Sequence, residues 1–302
     1  MMAAMVANAV IAVAKFTAAG VTGSSAMLSE GIHSVADTGN QALLLFGNRR
    51  SRKPADELHP FGYGPEMYFW SLIVAMILFG LGGGFSLYEG IVHLEHAEIP
   101  GDPIWNYGVL GVAFVVEAVA LRVAVGELGG AGTGRSFWAR LKESKDPRVF
   151  VPIAEDAAAL LGVVVAFLGI WLARALEAPV LDAVSSIVIG LILAGVAVFL
   201  AWETRALLVG ETIGSRLEEQ IRRICVEDEA VVELVRMLGV HLGPDEVLLT
   251  LGLRFRPAGT GDSVGEAVNR IERKIREVDP RVTRVFVEPE TDGEGTGPAP
   301  PF

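Results

Sequence analysis

Apolar residues run along this chain in blocks too long for a soluble helix or a strand. A bilayer core of about 30 Å is crossed by roughly 20 apolar residues in a helix. Six stretches meet that length: about Ala3–Val21, Met27–Phe46, Met67–Tyr88, Ile104–Val125, Phe150–Ala173 and Val180–Ala201. The second and fifth are the least apolar. After Glu203 the pattern shortens. SRLEEQIRRICVE predicts an amphipathic helix, and VVELVRMLGVHLGPDEVLLTLGLRF predicts two strands joined at Gly243-Pro244-Asp245. DSVGEAVNRIERKIREVD predicts a second helix, N-capped by Asp262 or Ser263, and RVTRVFVEPE a last strand. The chain therefore reads as a polytopic α-helical membrane protein with six transmembrane helices and a small α+β domain of ferredoxin-like type (α-β-β-α-β). The expected boundaries are 1–204 for the membrane domain and 205–290 for the soluble one. A Gly/Pro-rich tail at 291–302 is expected to be disordered.

Composition agrees with this reading. Of 302 residues 51% are hydrophobic, and the mean hydropathy of +0.45 is too apolar for an ordinary soluble enzyme. Charge supplies the orientation. Arg49, Arg50, Arg52 and Lys53 follow the second stretch; Arg135, Arg140, Lys142, Lys145 and Arg148 lie between the fourth and fifth. The opposite connections are poor in cations: VTGSS has none, YEGIVHLEHAEIPGD has none, and ARALEAP has only Arg174. The positive-inside rule then puts both termini and the soluble domain in the cytoplasm, with the chain multi-pass in the cell's inner membrane. No cleavable signal peptide is expected, because the first apolar stretch has no charged n-region. The single cysteine, Cys225, excludes an intramolecular disulfide framework and a multi-thiolate metal site within one chain. The net charge of -11, without a concentrated basic face, argues against nucleic acid as a partner.

Ionisable groups within the apolar stretches are few: Lys15, Glu30, His33, Asp37, Glu117, Arg122, Glu155, Asp156 and Asp182. Such groups at membrane depth face a partner or a watery cavity rather than lipid. Glu30 and Asp182 fall near helix ends, where the dipole of their own helix favours an acid. Lys15 is expected to pair with an intramembrane acid rather than snorkel. His33 and Asp37 lie four apart, on one face of a helix. A lone histidine would be read as a neutral group bonded across helices, but the pair offers a nitrogen and a carboxylate together. Glu155 and Asp156 bring acids from the fifth stretch. Neighbours on a helix point about 100° apart, so one is read as ligand and the other as neighbour or proton acceptor. Pro152 stands one turn before Asp156 and loosens the backbone there. One imidazole with two or three carboxylates and no sulfur suits Zn²⁺, Co²⁺, Fe²⁺ or Mn²⁺ over Mg²⁺ and Ca²⁺. Glu117 is either a proton-relay group or a bond to another helix. His59 either holds metal or simply opens the third helix. HLEHAE, with His93, Glu95, His96 and Glu98, has ligand-rich spacing on the outer side but reads as a solvated acidic loop rather than a metal site. His241, near Asp245 and Glu246, is too thin for a regulatory metal cluster, which leaves dimerisation as the soluble domain's role.

SSAMLSEGIHSVADTGNQALLLFG, HPFGYGPEMYFWSL and LDAVSSIVIGLILAG together resemble the cation diffusion facilitators over nearly the whole chain. The resemblance implies a homodimeric exporter that exchanges Zn²⁺ or a similar divalent ion for protons, with the metal as transported substrate and no cofactor. It implies a transport site of a His/Asp-x-x-x-Asp pair from each of spans two and five, which here gives His33, Asp37 and Asp156. The sequence departs from that pattern at Pro152, which cannot coordinate through its side chain. The Ala-Glu-Asp order, with Glu117 in span four, resembles the divergent branch that includes the mitochondrial zinc transporter of animals. Glu155 is the candidate for the vacant position, with Asn40 and water behind it. The rivals are a membrane-embedded metalloenzyme, against which the absence of His-Glu-x-x-His counts, and a metal sensor.

Overall fold

The computed structural model describes residues 2–95, 102–128, 136–256 and 261–290. The chain divides into a larger unit, up to Lys53 and from Glu66 to Ala206, and a smaller one, Pro54–Pro65 together with the residues from Leu207 onward.

Helices stand at all six predicted places in the larger unit: α1 (Met2–Thr22), α2 (Ser25–Ser51), α3 (Glu66–Ile77) continuing through a π segment (Leu78–Gly84) into α4 (Phe85–Glu95), α5 (Ile104–Glu127), α7 (Pro147–Ala175) and α8 (Val180–Val209). A seventh, short helix, α6 (Phe137–Glu143), was not expected; Ser136 caps it by accepting from the Ala139 N–H. Four stretches among the described residues, Glu66–Glu95, Ile104–Glu127, Pro147–Ala175 and Val180–Val209, are long and apolar enough to cross a membrane. In α1 the side chains are described continuously only over Asn8–Thr22, 15 residues of the 21-residue helix, and α2 is the more polar helix, with Glu30, His33, Asp37 and Asn40 along it. Val112, Val115, Val119 and Val123 of α5 point outward and are exposed, as lipid-facing side chains should be.

Small residues bring these helices close, the usual means of packing where lipid removes the hydrophobic drive between them. Gly83 of the π segment lies against the backbone of Ala194 in α8, and Gly190 of α8 against the Gly83 carbonyl and the Leu87 N–H. The α1–α2 turn closes on Gly23 at φ 67°, whose N–H reaches the Ala19 carbonyl at 2.8 Å.

The smaller unit follows the predicted order: α9 (Ser215–Val226), β1 (Val231–Gly243), β2 (Glu246–Phe255), α10 (Gly261–Val278) and β3 (Val282–Glu290). The sheet order is β1-β2-β3, with β1 and β2 antiparallel across the predicted Gly-Pro-Asp turn. β2 and β3 run parallel, so α10 is the crossover. Ile221 and Cys225 of α9 and Ile271 and Ile275 of α10 share one core with Val247, Leu249, Leu251 and Leu253 of β2. Burial pushes the Cys225 thiol up to about 11, which makes it an inert packing group. Residues 54–65 belong to this unit: Gly64 lies directly against the Leu242 carbonyl, and the Arg284 guanidinium sits 5.2 Å over the Phe61 ring. α10 begins at Gly261; the side chains at 261–263, including the expected cap, and the tail 291–302 lie outside the described residues.

Asp228 ties α10 to the start of β1. It accepts from Arg270 at 2.9 and 3.2 Å and from the Ala230 N–H at 3.1 Å. Burial alone would raise its pKa, but these hydrogen bonds and the Arg270 charge outweigh burial and hold the carboxyl below its ordinary value. A carboxyl depressed in the folded state stabilises the fold above its unfolded pKa of about 4. That contribution is lost as pH falls through the folded pKa. Asp228→Asn is therefore expected to speed amide hydrogen exchange in α10 and β1 at neutral pH, after correction for intrinsic rates. The gap from the native chain should close as pH falls below about 4.

Candidate metal site

The inner face of α2 is a polar track. Glu30, His33, Ser34, Asp37, Asn40 and Gln41 recur at three- and four-residue spacing, which stacks them along one side of the helix. All but Gln41 are buried. α7 runs beside α2 in the opposite direction: Asn40 Nδ2 donates to Glu155 Oε1 at 2.7 Å, and Glu30 Oε1 abuts Gly162. Between those two contacts lie His33 and Asp37. His33 Nδ1 stands 3.4 Å from Asp37 Oδ1. The charges of Glu155, Glu117 and Asp156 all reach Asp37. Pro152 sits inside α7, where its missing N–H removes one intrahelical bond a turn before the acids.

Polar atoms left without hydrogen bonds gather on this face: both ring nitrogens of His33, Asp37 Oδ1, Asn40 Oδ1, Gln41 Oε1 and Glu30 Oε1. Each unpaired buried polar atom costs about 1–3 kcal/mol, so such a concentration is what a ligand-binding site leaves. The expected residues are thus brought together in part. His33 meets Asp37, and Asn40 meets Glu155, while Asp156 is only partly buried. Among the described residues no three His, Cys, Asp or Glu side chains stand close enough to enclose a metal ion in this conformation.

Two readings of helix-end acids are corrected. Glu30 is fully buried and bonds Lys15 of α1 across the bundle at 2.8 Å; its partner is a cation, not its own helix dipole. The signal was present in the sequence, since Glu30 lies on the face of His33, one turn before it. Asp182, in the first turn of α8, serves the N-terminus of α2 instead. It accepts from Ser24 Oγ at 2.8 Å and the Ser25 N–H at 2.7 Å, and also from the Ala26 N–H. Nothing in the local sequence of α8 could have named that partner.

The remaining residues lie elsewhere. Glu117 is buried on α5, within electrostatic reach of Lys15 and Glu30, while Arg122 is exposed. His59 stacks on Tyr63 at 4.1 Å, and Asp56 accepts from the Tyr63 hydroxyl at 2.7 Å. His93 pairs with Glu89 at 2.9 Å; His96 and Glu98 lie outside the described residues. His241 is buried in β1, and Glu246 is engaged by Arg284 at 3.1 Å.

A buried track of imidazole, carboxylate and carboxamide running among apolar, membrane-length helices marks a multi-pass membrane protein. Residues 1–209 match the family model described as the cation efflux transmembrane domain. The chain belongs to that family, the cation diffusion facilitators, a family of transporters rather than enzymes. It is 34% identical over 235 residues to the human proton-coupled zinc antiporter SLC30A9, mitochondrial, covering 77% of this chain and 41% of that protein. It is 32% identical over 232 residues to metal tolerance protein C4 of Arabidopsis thaliana, covering 76% and 51%. Magnetosome protein MamB of Magnetospirillum gryphiswaldense is 24% identical over 273 residues, covering 89% and 86%. The chain thus spans about two fifths to half the length of the first two.

Proposed function

We propose that this chain exports divalent transition-metal ions, Zn²⁺ foremost, from the cytoplasm in exchange for protons. The observation that carries the reading is the row of unpaired ligand-type atoms on α2 opposite the acids of α7. Six spans and a cytoplasmic domain dimerising a pair of chains complete the scheme, with both termini inside and the protein in the cell's inner membrane. His33, Asp37 and Asp156 take the ion in an inward-facing state and give it up in an outward-facing one, two conformations in equilibrium. Metal ligands must be deprotonated, so protons and metal compete for the same groups. That competition suffices for exchange provided the empty, unprotonated site rarely changes sides. Glu117 passes protons toward the site. The names of the relatives, a proton-coupled zinc antiporter among them, support the choice of ion and coupling.

Glu155 stands in for the ligand that Pro152 cannot supply. Its Oε1 is held by Asn40, which leaves Oε2 for the ion. Glu155→Gln is expected to raise the KM for Zn²⁺ about tenfold, the usual penalty for losing one ligand or its support. Pro152→His in that background should restore part of the loss. The measurement is metal uptake by vesicles carrying a pH gradient, with Zn²⁺, Mn²⁺, Fe²⁺ and Co²⁺ compared. An unchanged KM in Glu155→Gln would remove it from the ligand set, and no flux of any of the four ions would sink the transport reading.

A further inference from the structure

Lys15 lies in the middle of α1 with no solvent exposure. Its ammonium donates to Glu30 Oε2 and to Ser34 Oγ, each at 2.8 Å. Holding two helices together does not require this pair, since well-packed apolar residues do that as well as or better than a buried ion pair. Its position suggests another use. Glu30 and Ser34 flank His33 in sequence, and Asp37 follows one turn later on the same face. The ammonium sits one hydrogen bond from Ser34, the residue next to His33, and its charge reaches His33, Asp37 and Glu117. The other oxygen of Glu30 abuts Gly162 in α7, where any side chain would collide with it. Glu30 is thus wedged at the α2–α7 seam, and Lys15 with it.

We propose that Lys15 is a tethered cation that weakens divalent-metal binding at the His33–Asp37 site enough for the ion to leave. The inference rests on the transport reading above. An imidazole and carboxylates gathered on one ion would hold a dication tightly, and a conducting site must bind strongly enough to load and weakly enough to empty. A fixed positive charge nearby lowers the affinity for a dication twice as steeply as for a monovalent ion. Glu30 and Ser34 supply the anchor that keeps the ammonium near the site while leaving the site's own atoms unpaired.

The test uses the full chain in vesicles, with equilibrium Zn²⁺ binding and Zn²⁺ uptake measured on the same preparations. Three variants are needed: Lys15→Met, Lys15→Arg and the doubly neutral Lys15→Met/Glu30→Gln, which leaves no unpaired charge behind. Both methionine variants should bind Zn²⁺ about tenfold or more tightly. Uptake should then show a lower KM together with a lower maximal rate, because release slows. Lys15→Arg should stay close to native. A merely structural pair would not split KM from maximal rate in this way. Unchanged or weaker binding in a folded methionine variant overturns the proposal. So does failure of both methionine variants to fold, which would make the pair a structural rivet. Absence of Zn²⁺ binding and uptake in the native chain would instead overturn the transport reading itself.

Discussion

Asp37→Asn is expected to cut divalent-metal uptake at least about a hundredfold while leaving the helical content intact. The substitution keeps the shape of the side chain and removes one negative charge beside a dication. At an effective dielectric of about 20, a unit charge a few ångströms from a dication is worth several kcal/mol, and each 1.4 kcal/mol is tenfold in binding. Folding should tolerate the change, because Asp37 Oδ1 makes no hydrogen bond that the fold would lose and four acids share the region. Relieving that crowding is expected to stabilise the variant slightly. Asp156→Asn should act in the same direction. Uptake by vesicles, read beside circular dichroism of the same samples, decides the matter. Native flux in both variants would place the ion elsewhere.

Gly190→Val should disturb the structure more than any of the polar substitutions above. A Cβ at 190 would lie 2.8 Å from the Leu87 N–H nitrogen and 2.9 Å from the Gly83 carbonyl oxygen. Those are backbone atoms of a helix and cannot swing aside as a side chain can. α8 and the π segment would have to part, costing the upper end of the 1–3 kcal/mol typical of overpacking. Separation would also loosen the rest of the seam, including the close approach of Gly83 to Ala194, which adds to that cost. A fall of several degrees in the thermal midpoint in detergent is the expected readout. An unshifted midpoint would show that the two helices are not held by close approach. Gly195→Val, with nothing within 4 Å of where its Cβ would stand, is the matched control.

Periodicity made the scaffold legible. Runs of about 20 apolar residues located the six long helical stretches, and the switch to alternation after Glu203 located the strands within a residue or two. Helix α6 was missed because seven residues between two charged segments carry too little pattern. The π segment was missed because a glycine-rich run such as LFGLGGG reads the same in an α-helix. At the candidate site, His33 and Asp37 were legible because four-residue spacing on a helix is local geometry. The Asn40–Glu155 bond was half legible: both residues were named, but which atoms met depended on the antiparallel run of α7 past α2. Lys15–Glu30 and Asp182–Ser24 join residues 15 and 158 positions apart. That Lys15 pairs with an intramembrane acid was legible from its depth, but which acid it meets, and which helix end Asp182 serves, was not. Only the packing of three helices supplies it.

Residues 54–65 have a bearing on how the protein is made. They emerge from the ribosome directly after α2, yet their packing partners, Leu242 and Arg284, come from the last third of the chain. Contacts of such long sequence separation form late and slowly. The segment therefore waits, with Phe61 and Gly64 unmatched, while four long helices are synthesised and inserted. Its docking becomes a completion step that only a full-length chain can take. Truncation ahead of β1 would leave the segment permanently unmatched, with Tyr63 and Gly64, both buried in the complete fold, open to chaperones and proteases.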